Sequence, residues 1–138
     1  MEENKLAVEL KTVERPEITK EMIEQDTRKL AEVIAAACAD KKARDIVFMN
    51  MDGLSPSTDW FVICSARSTT QARSIADSVE DKLDELGMPF YHKEGYQDGT
   101  WVLLDYGDVV CHIFLDESRD YYALESLWSE AEVVPYEE

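Results

Sequence analysis

Basic residues are scarce in this chain. Fourteen Lys and Arg stand against thirty Asp and Glu, a formal net charge of −16. The shortage is most severe from Glu94 to Glu138, where twelve acids meet a single base, Arg119. Tight binding to a nucleic-acid backbone needs Lys and Arg to displace counterions, so direct nucleic-acid readout is not expected here. A basic protein partner suits such a segment, and so does the plainer reading of an acidic surface that keeps the chain soluble. Long apolar runs are also missing. None approaches the ~20 residues that cross a bilayer, so no membrane span is expected. The opening Met1-Glu2-Glu3-Asn4-Lys5 has neither a basic start nor an apolar stretch, so no secretory leader is expected and the expected location is cytoplasmic. Cysteine is sparse and unpaired in pattern. Cys38, Cys64 and Cys111 are an odd count, share no C-x-x-C spacing and sit among apolar residues. They read as reduced, buried thiols rather than as a disulfide framework or a zinc site.

Signature motifs are absent too. There is no Walker A loop, G-x-G-x-x-G, G-x-S-x-G or H-E-x-x-H, and no internal repeat. The two histidines, His92 and His112, fall on neighbouring expected strands and could approach Asp105, but no spacing enforces a metal or acid–base site. Asp52, Asp59, Asp105 and Asp108 lie at strand ends and turns, where Asp is favoured structurally. No catalytic residue, metal or cofactor is expected.

What is present fits one domain of 138 residues, 45% of them hydrophobic. Residues 1–18 mix charges with few periodic apolar positions and contain Pro16, and read as a flexible or loosely docked extension. The domain itself spans 19–128, and 129–138 reads as an acidic tail. Thr19 can cap a helix reaching about Lys41, with Ile23, Leu30, Val33, Ile34, Ala37 and Cys38 along one face. Asp45 to Met51 reads as a strand apolar on both faces, and Asp59 to Ser65 as a second strand. Ser68-Thr69-Thr70-Gln71 matches a capping box. The helix it opens buries Ala72, Ile75, Ala76, Val79, Leu83 and Leu86, and stops at Gly87 and Pro89. Phe90 to Glu94 reads as a short strand, and Asp116 can cap a last helix to about Trp128. The expected fold is α/β (α+β), a mixed sheet of about five strands with flanking helices. The strand–helix–strand unit from Asp59 to Glu94 predicts a parallel pair.

Gly107-Asp108 joins Trp101–Tyr106 to Val109–Leu115 as a two-residue hairpin, which fixes the register. Opposed residues share a face, and faces alternate along each strand. Val102, Leu104, Tyr106, Val109, Cys111, Ile113 and Leu115 form an apolar face that belongs under the helices. Trp101, Leu103, Asp105, Val110, His112 and Phe114 form the other. That face mixes aromatics, aliphatics, a carboxylate and an imidazole, the composition of an interface core. The C-terminal helix or a second copy of the chain would also cover it.

One alternative site is the strand-to-helix stretch at Ser65, Arg67 and Ser68, a natural place for an anion. Nucleotidyltransferases open a helix in a related way, with a Gly-Ser pair and metal-holding acids. Here that Gly and a following D-x-D pair are both missing. This leaves a nucleotide-binding or nucleotidyltransferase-like enzyme as the alternative function.

A series of motifs then resembles the ribosomal silencing factor (Iojap-like) family. They are Asp45-Ile46-Val47, Gly53-Leu54-Ser55, Asp59 through Ser65, Glu94-Gly95, Trp101 through Val110, His112-Ile113-Phe114, and Tyr121-Tyr122 with Leu124-Glu125 and Leu127-Trp128. Trp60 stands where the family usually has Tyr, and Ala66 where it often has Gly. The resemblance implies a nucleotidyltransferase-like topology without the catalytic signature, and a factor that is not an enzyme. It also implies binding to the large ribosomal subunit through its protein numbered fourteen. Such binding blocks small-subunit joining when nutrients are scarce. A homodimer in the free state is implied as well.

Overall fold

The computed structural model describes residues 18–137; the greater part of the expected N-terminal extension lies outside the described residues. Helix α1 (Lys20–Gln25) is capped by Thr19, whose Oγ1 accepts from the Met22 amide. The long first helix expected from the apolar stripe is broken at Asp26. That residue is extended, ends α1, and caps α2 (Thr27–Asp40) by accepting from the Arg28 amide. A short side-chain acceptor that competes with the backbone favours such a cap over a helix interior. All six residues of the expected stripe are buried nonetheless.

Strands β1 (Arg44–Asn50) and β2 (Trp60–Ala66) run antiparallel. Helix α3 (Thr69–Glu85) follows, then β3 (His92–Glu94), β4 (Trp101–Asp105) and β5 (Val109–Leu115). Two short helices, α4 (Asp116–Tyr122) and α5 (Leu124–Leu127), precede β6 (Glu132–Pro135). The sheet has six strands in the order β3-β4-β5-β2-β1-β6. The sixth forms within the segment read as an acidic tail, where residues 132–135 pair with β1 from Val47 to Asn50. The hydrogen-bonded parallel partner of β2 is β5, not β3; β3 runs in the same direction but lies two strands further out.

The hairpin register is the expected one, with Trp101 opposite Phe114, Leu103 opposite His112 and Asp105 opposite Val110. Its apolar face packs under α2 and α3 in the main core, together with Val62, Cys64, Ile34 and Val79. Cys38 and Cys111 Sγ lie 4.0 Å apart there, and all three cysteines are free and buried. Hydrogen bonding between thiols and burial push Cys38 and Cys64 well above the ordinary thiol range, which makes them poor nucleophiles. A smaller cluster covers the opposite face of the sheet, built from Met49, Met51, Ile63, Phe114, Leu124 and Ala131. The sheet is therefore covered on both sides, but on the second side only across its β5-β2-β1 half.

Candidate partner-binding face

The last helix is not one element, and Asp116 does not cap it. Leu115 is its N-cap, and Asp116 instead pairs with Arg44. Ala123 then takes a left-handed conformation, φ 45°, and splits the helix into α4 and α5. The break lets Leu124 and Trp128 lie over the sheet while Tyr121 and Tyr122 stay outside. Arg119, the lone base from Glu94 to Glu138, is the strut that holds this arrangement. Its guanidinium donates to the Asp45 carbonyl (2.6 Å), to Ser65 Oγ (2.9 Å) and to Glu125 (3.1 Å). Asp45 is reached because β1 bulges there: its φ is 50° and the pairing with β2 shifts between Arg44 and Val47.

The six face residues separate by depth. Trp101, Leu103 and Asp105, on β4, are half-buried. Val110, His112 and Phe114, on β5, are buried, with His112 only 4% exposed. The central strand lies toward the C-terminal cover, and β4 lies beyond it. Val110, His112 and Phe114 are therefore closed off by the fold itself, in line with cover from the C-terminal helices, while Trp101, Leu103 and Asp105 stay partly open. Phe114 underpins Trp101 instead, the two rings stacking at 4.9 Å and 29°. Tyr122 lies against Trp101 at 4.5 Å, and Tyr121 meets Tyr122 edge-on at 5.1 Å. Phe114, Trp101, Tyr122 and Tyr121 thus form one aromatic row running from the core to an 80% exposed tip at Tyr121.

His112 Nδ1 accepts a hydrogen bond from the Trp101 indole at 3.1 Å, and Phe61 packs edge-on at 4.6 Å. Burial pushes the His112 pKa down to about 3, so the ring is neutral. Asp105 spends one oxygen on the Gly107 amide at 2.7 Å, an Asx turn that closes the hairpin. Its carboxylate is therefore partly committed to the fold.

Two further residues belong to the open face. His92 pairs with Asp105 and Glu94 with Leu103, which places both exposed side chains beside β4 on the same side. Lys93 between them points to the other face, where it bonds Glu80. The sequence brings His92 toward Asp105 but does not assign His92 or Glu94 to this face, because a three-residue strand shows almost no alternation until its partner is known. Tyr121 and Tyr122 were missed because a continuous helix gives no sign of the turn at Ala123. His92 and His112 do not meet: one is at the exposed edge, the other buried two strands away. Among the described residues no group of three or more His, Cys, Asp or Glu side chains is placed to hold a metal ion. No helix there is long and apolar enough to cross a membrane.

The alternative anion site is not assembled. Ser65 is buried on the Arg119 side of the sheet, with Ile63. Ser68 caps α3, on the other side, and Arg67 is exposed. The cap consumes the donors an anion would use: the Gln71 amide bonds Ser68 Oγ (3.0 Å) and the Arg67 amide bonds Gln71 Oε1 (2.7 Å). Gln71 also donates to the Lys41 and Lys42 carbonyls, fastening the end of α2 to the start of α3.

The fold and the face together define a small mixed α/β protein that presents a half-open aromatic sheet face framed by acids. Comparison with known proteins narrows that class. Residues 24–138 match the family described as RsfS, ribosomal silencing factor during starvation. The ribosomal silencing factor RsfS of Bacillus subtilis is 42% identical over 104 residues, 75% of this chain and 88% of that protein. The protein of that name from Halalkalibacterium halodurans is 40% identical over 110 residues, 80% of this chain and 94% of its own. A crystal structure of a Chromobacterium violaceum protein superposes with a TM-score of 0.72 at 34% identity, covering 74% of this chain and 85% of that one. A Bacillus halodurans structure gives a TM-score of 0.70 at 39% identity, covering 78% and 97%. The chain belongs to the RsfS family of ribosomal silencing factors.

Proposed function

We propose that this protein binds the large ribosomal subunit through its protein numbered fourteen and sterically prevents the small subunit from joining, lowering translation when nutrients are limiting. Its relatives are named as ribosomal silencing factors, and occlusion of a surface is a task that needs bulk and a buried patch rather than catalytic residues. The observation that carries the reading is the aromatic row ending in Trp101, Tyr122 and Tyr121 on the uncovered half of the sheet. Leu103 extends its apolar area, and Asp105, His92 and Glu94 form a polar margin. Aromatic anchors within a polar rim are the usual form of an interface hot spot. The protein acts in the cytoplasm in this reading, is not an enzyme, and forms a homodimer when free.

The test is co-sedimentation with purified large ribosomal subunits. The wild-type protein travels with them. Trp101→Ala, which truncates the anchor, weakens binding by about 2 kcal/mol or more while circular dichroism stays unchanged. A folded Trp101→Ala protein that still co-sediments like wild type overturns the choice of face.

A further inference from the structure

We propose that His112 is a positioning residue: its Nδ1 fixes the orientation of the Trp101 indole without itself meeting the partner. The inference rests on the reading of the β4 face as the partner-binding surface. Stacking on Phe114 and Tyr122 sets the plane of the indole, but a stacked ring can turn over within that plane's slot and keep most of its contact. A hydrogen bond from Nε1 distinguishes the two orientations, and His112 supplies its acceptor at 3.1 Å. An indole nitrogen only donates, so Nδ1 must carry no proton and the hydrogen of the neutral ring sits on Nε2. Burial keeps the ring neutral throughout the physiological range. Nε2 is buried and has no hydrogen-bond partner. An unpaired buried donor is a liability that an apolar ring of similar size would remove. The arrangement retains that liability together with the acceptor at Nδ1, which points to the acceptor as the reason for the residue. Surroundings made of Phe61, Trp101 and Phe114 would otherwise suit a phenyl ring.

Two variants separate positioning from packing. His112→Phe keeps a ring in place and removes both the acceptor and the orphan donor. His112→Asn returns an amide oxygen near the Nδ1 position. Proton exchange at the Trp101 indole is followed by NMR, and affinity is measured with purified large ribosomal subunits. In the wild type the Trp101 indole proton exchanges slowly; an unprotected indole overturns the proposal whatever the variants do. His112→Phe keeps or raises the melting temperature, exchanges its indole proton faster and loses roughly tenfold in affinity. His112→Asn restores slow exchange and most of the affinity. A structural role alone predicts that stability and affinity fall together and that Asn restores neither, which overturns the proposal. So does a His112→Phe protein that binds like wild type while Trp101→Ala does not. If Trp101→Ala also binds like wild type, the reading of the face is what has failed.

Discussion

Trp101 depends on the residue types around it more than on its own. Gly95 is one of them. Its φ is +77°, and a Cβ built there would lie 2.0 Å from the Trp101 carbonyl oxygen, a clash with backbone that no rotamer relieves. Gly95→Ala is therefore expected to cost about 2 kcal/mol or more in stability, read as a lower melting temperature, and to move the start of β4. An unchanged melting temperature would show that the loop yields freely. His112 gives a second test. Its folded-state pKa is near 3 against an ordinary 6.5, so the unfolded chain takes up the proton more readily. The stability it contributes is complete above pH 6.5 and is lost as pH falls toward 3, at up to about 1.4 kcal/mol per unit. Between pH 7 and pH 5 the wild type should lose more stability than His112→Asn in parallel denaturant titrations. Equal losses would contradict the burial argument. At this scale the sequence was only half legible. Alternation places His112 and Phe114 on the correct face and leaves cover by the C-terminal helix open, but how far Leu124 and Trp128 reach across that face is set by the tertiary fold.

Elements set by local chemistry were readable, and elements set by distant partners were not. A two-residue Gly-Asp turn leaves a hairpin little choice of register, so β4 and β5 followed from the sequence. The Ser68–Gln71 cap followed as well, apart from Gln71 reaching to Arg67 rather than to Ser68. The break at Ala123 did not, because alanine carries no preference for a left-handed turn. Strand β6 did not either. Glu132 and Pro135 argue against a strand, and its partner β1 lies some eighty residues earlier. Both residues suit an edge, where a charge and a missing N–H discourage further pairing. The strand closes the sheet beside Phe48, which Tyr136 meets edge-on at 6.0 Å. Removing residues 130–138 should cost on the order of 2 kcal/mol and leave the β1 edge open. Thermal unfolding and light scattering report the two effects. A truncated chain as stable and as monodisperse as the full one would mean that β6 contributes nothing.

The whole molecule carries a charge of −16, and its most acidic segment, Glu94 to Glu138, has a single base of its own. Arg119, the one base from Glu94 to Glu138, is 12% exposed and committed to internal contacts. A long-range field of this sign steers the protein toward basic surfaces. Its association rate with large subunits should fall severalfold as salt rises to about 0.15 M, where the screening length is about 8 Å, while dissociation changes little. Stopped-flow measurement at several salt concentrations reads this directly, and a rate independent of salt would remove steering from the account. Composition implies that field; the fold adds that Arg119 is turned inward onto Glu125, while Arg44 from β1 offsets Asp116. If the protein works by occlusion, subunit joining is the step that it must stop. Purified large subunits are saturated with the protein, small subunits are added, and the mixture is resolved on a sucrose gradient. Occlusion gives separate subunit peaks, with the protein travelling on the large one. Joined ribosomes forming at the normal level, with the protein still bound to them, would contradict it.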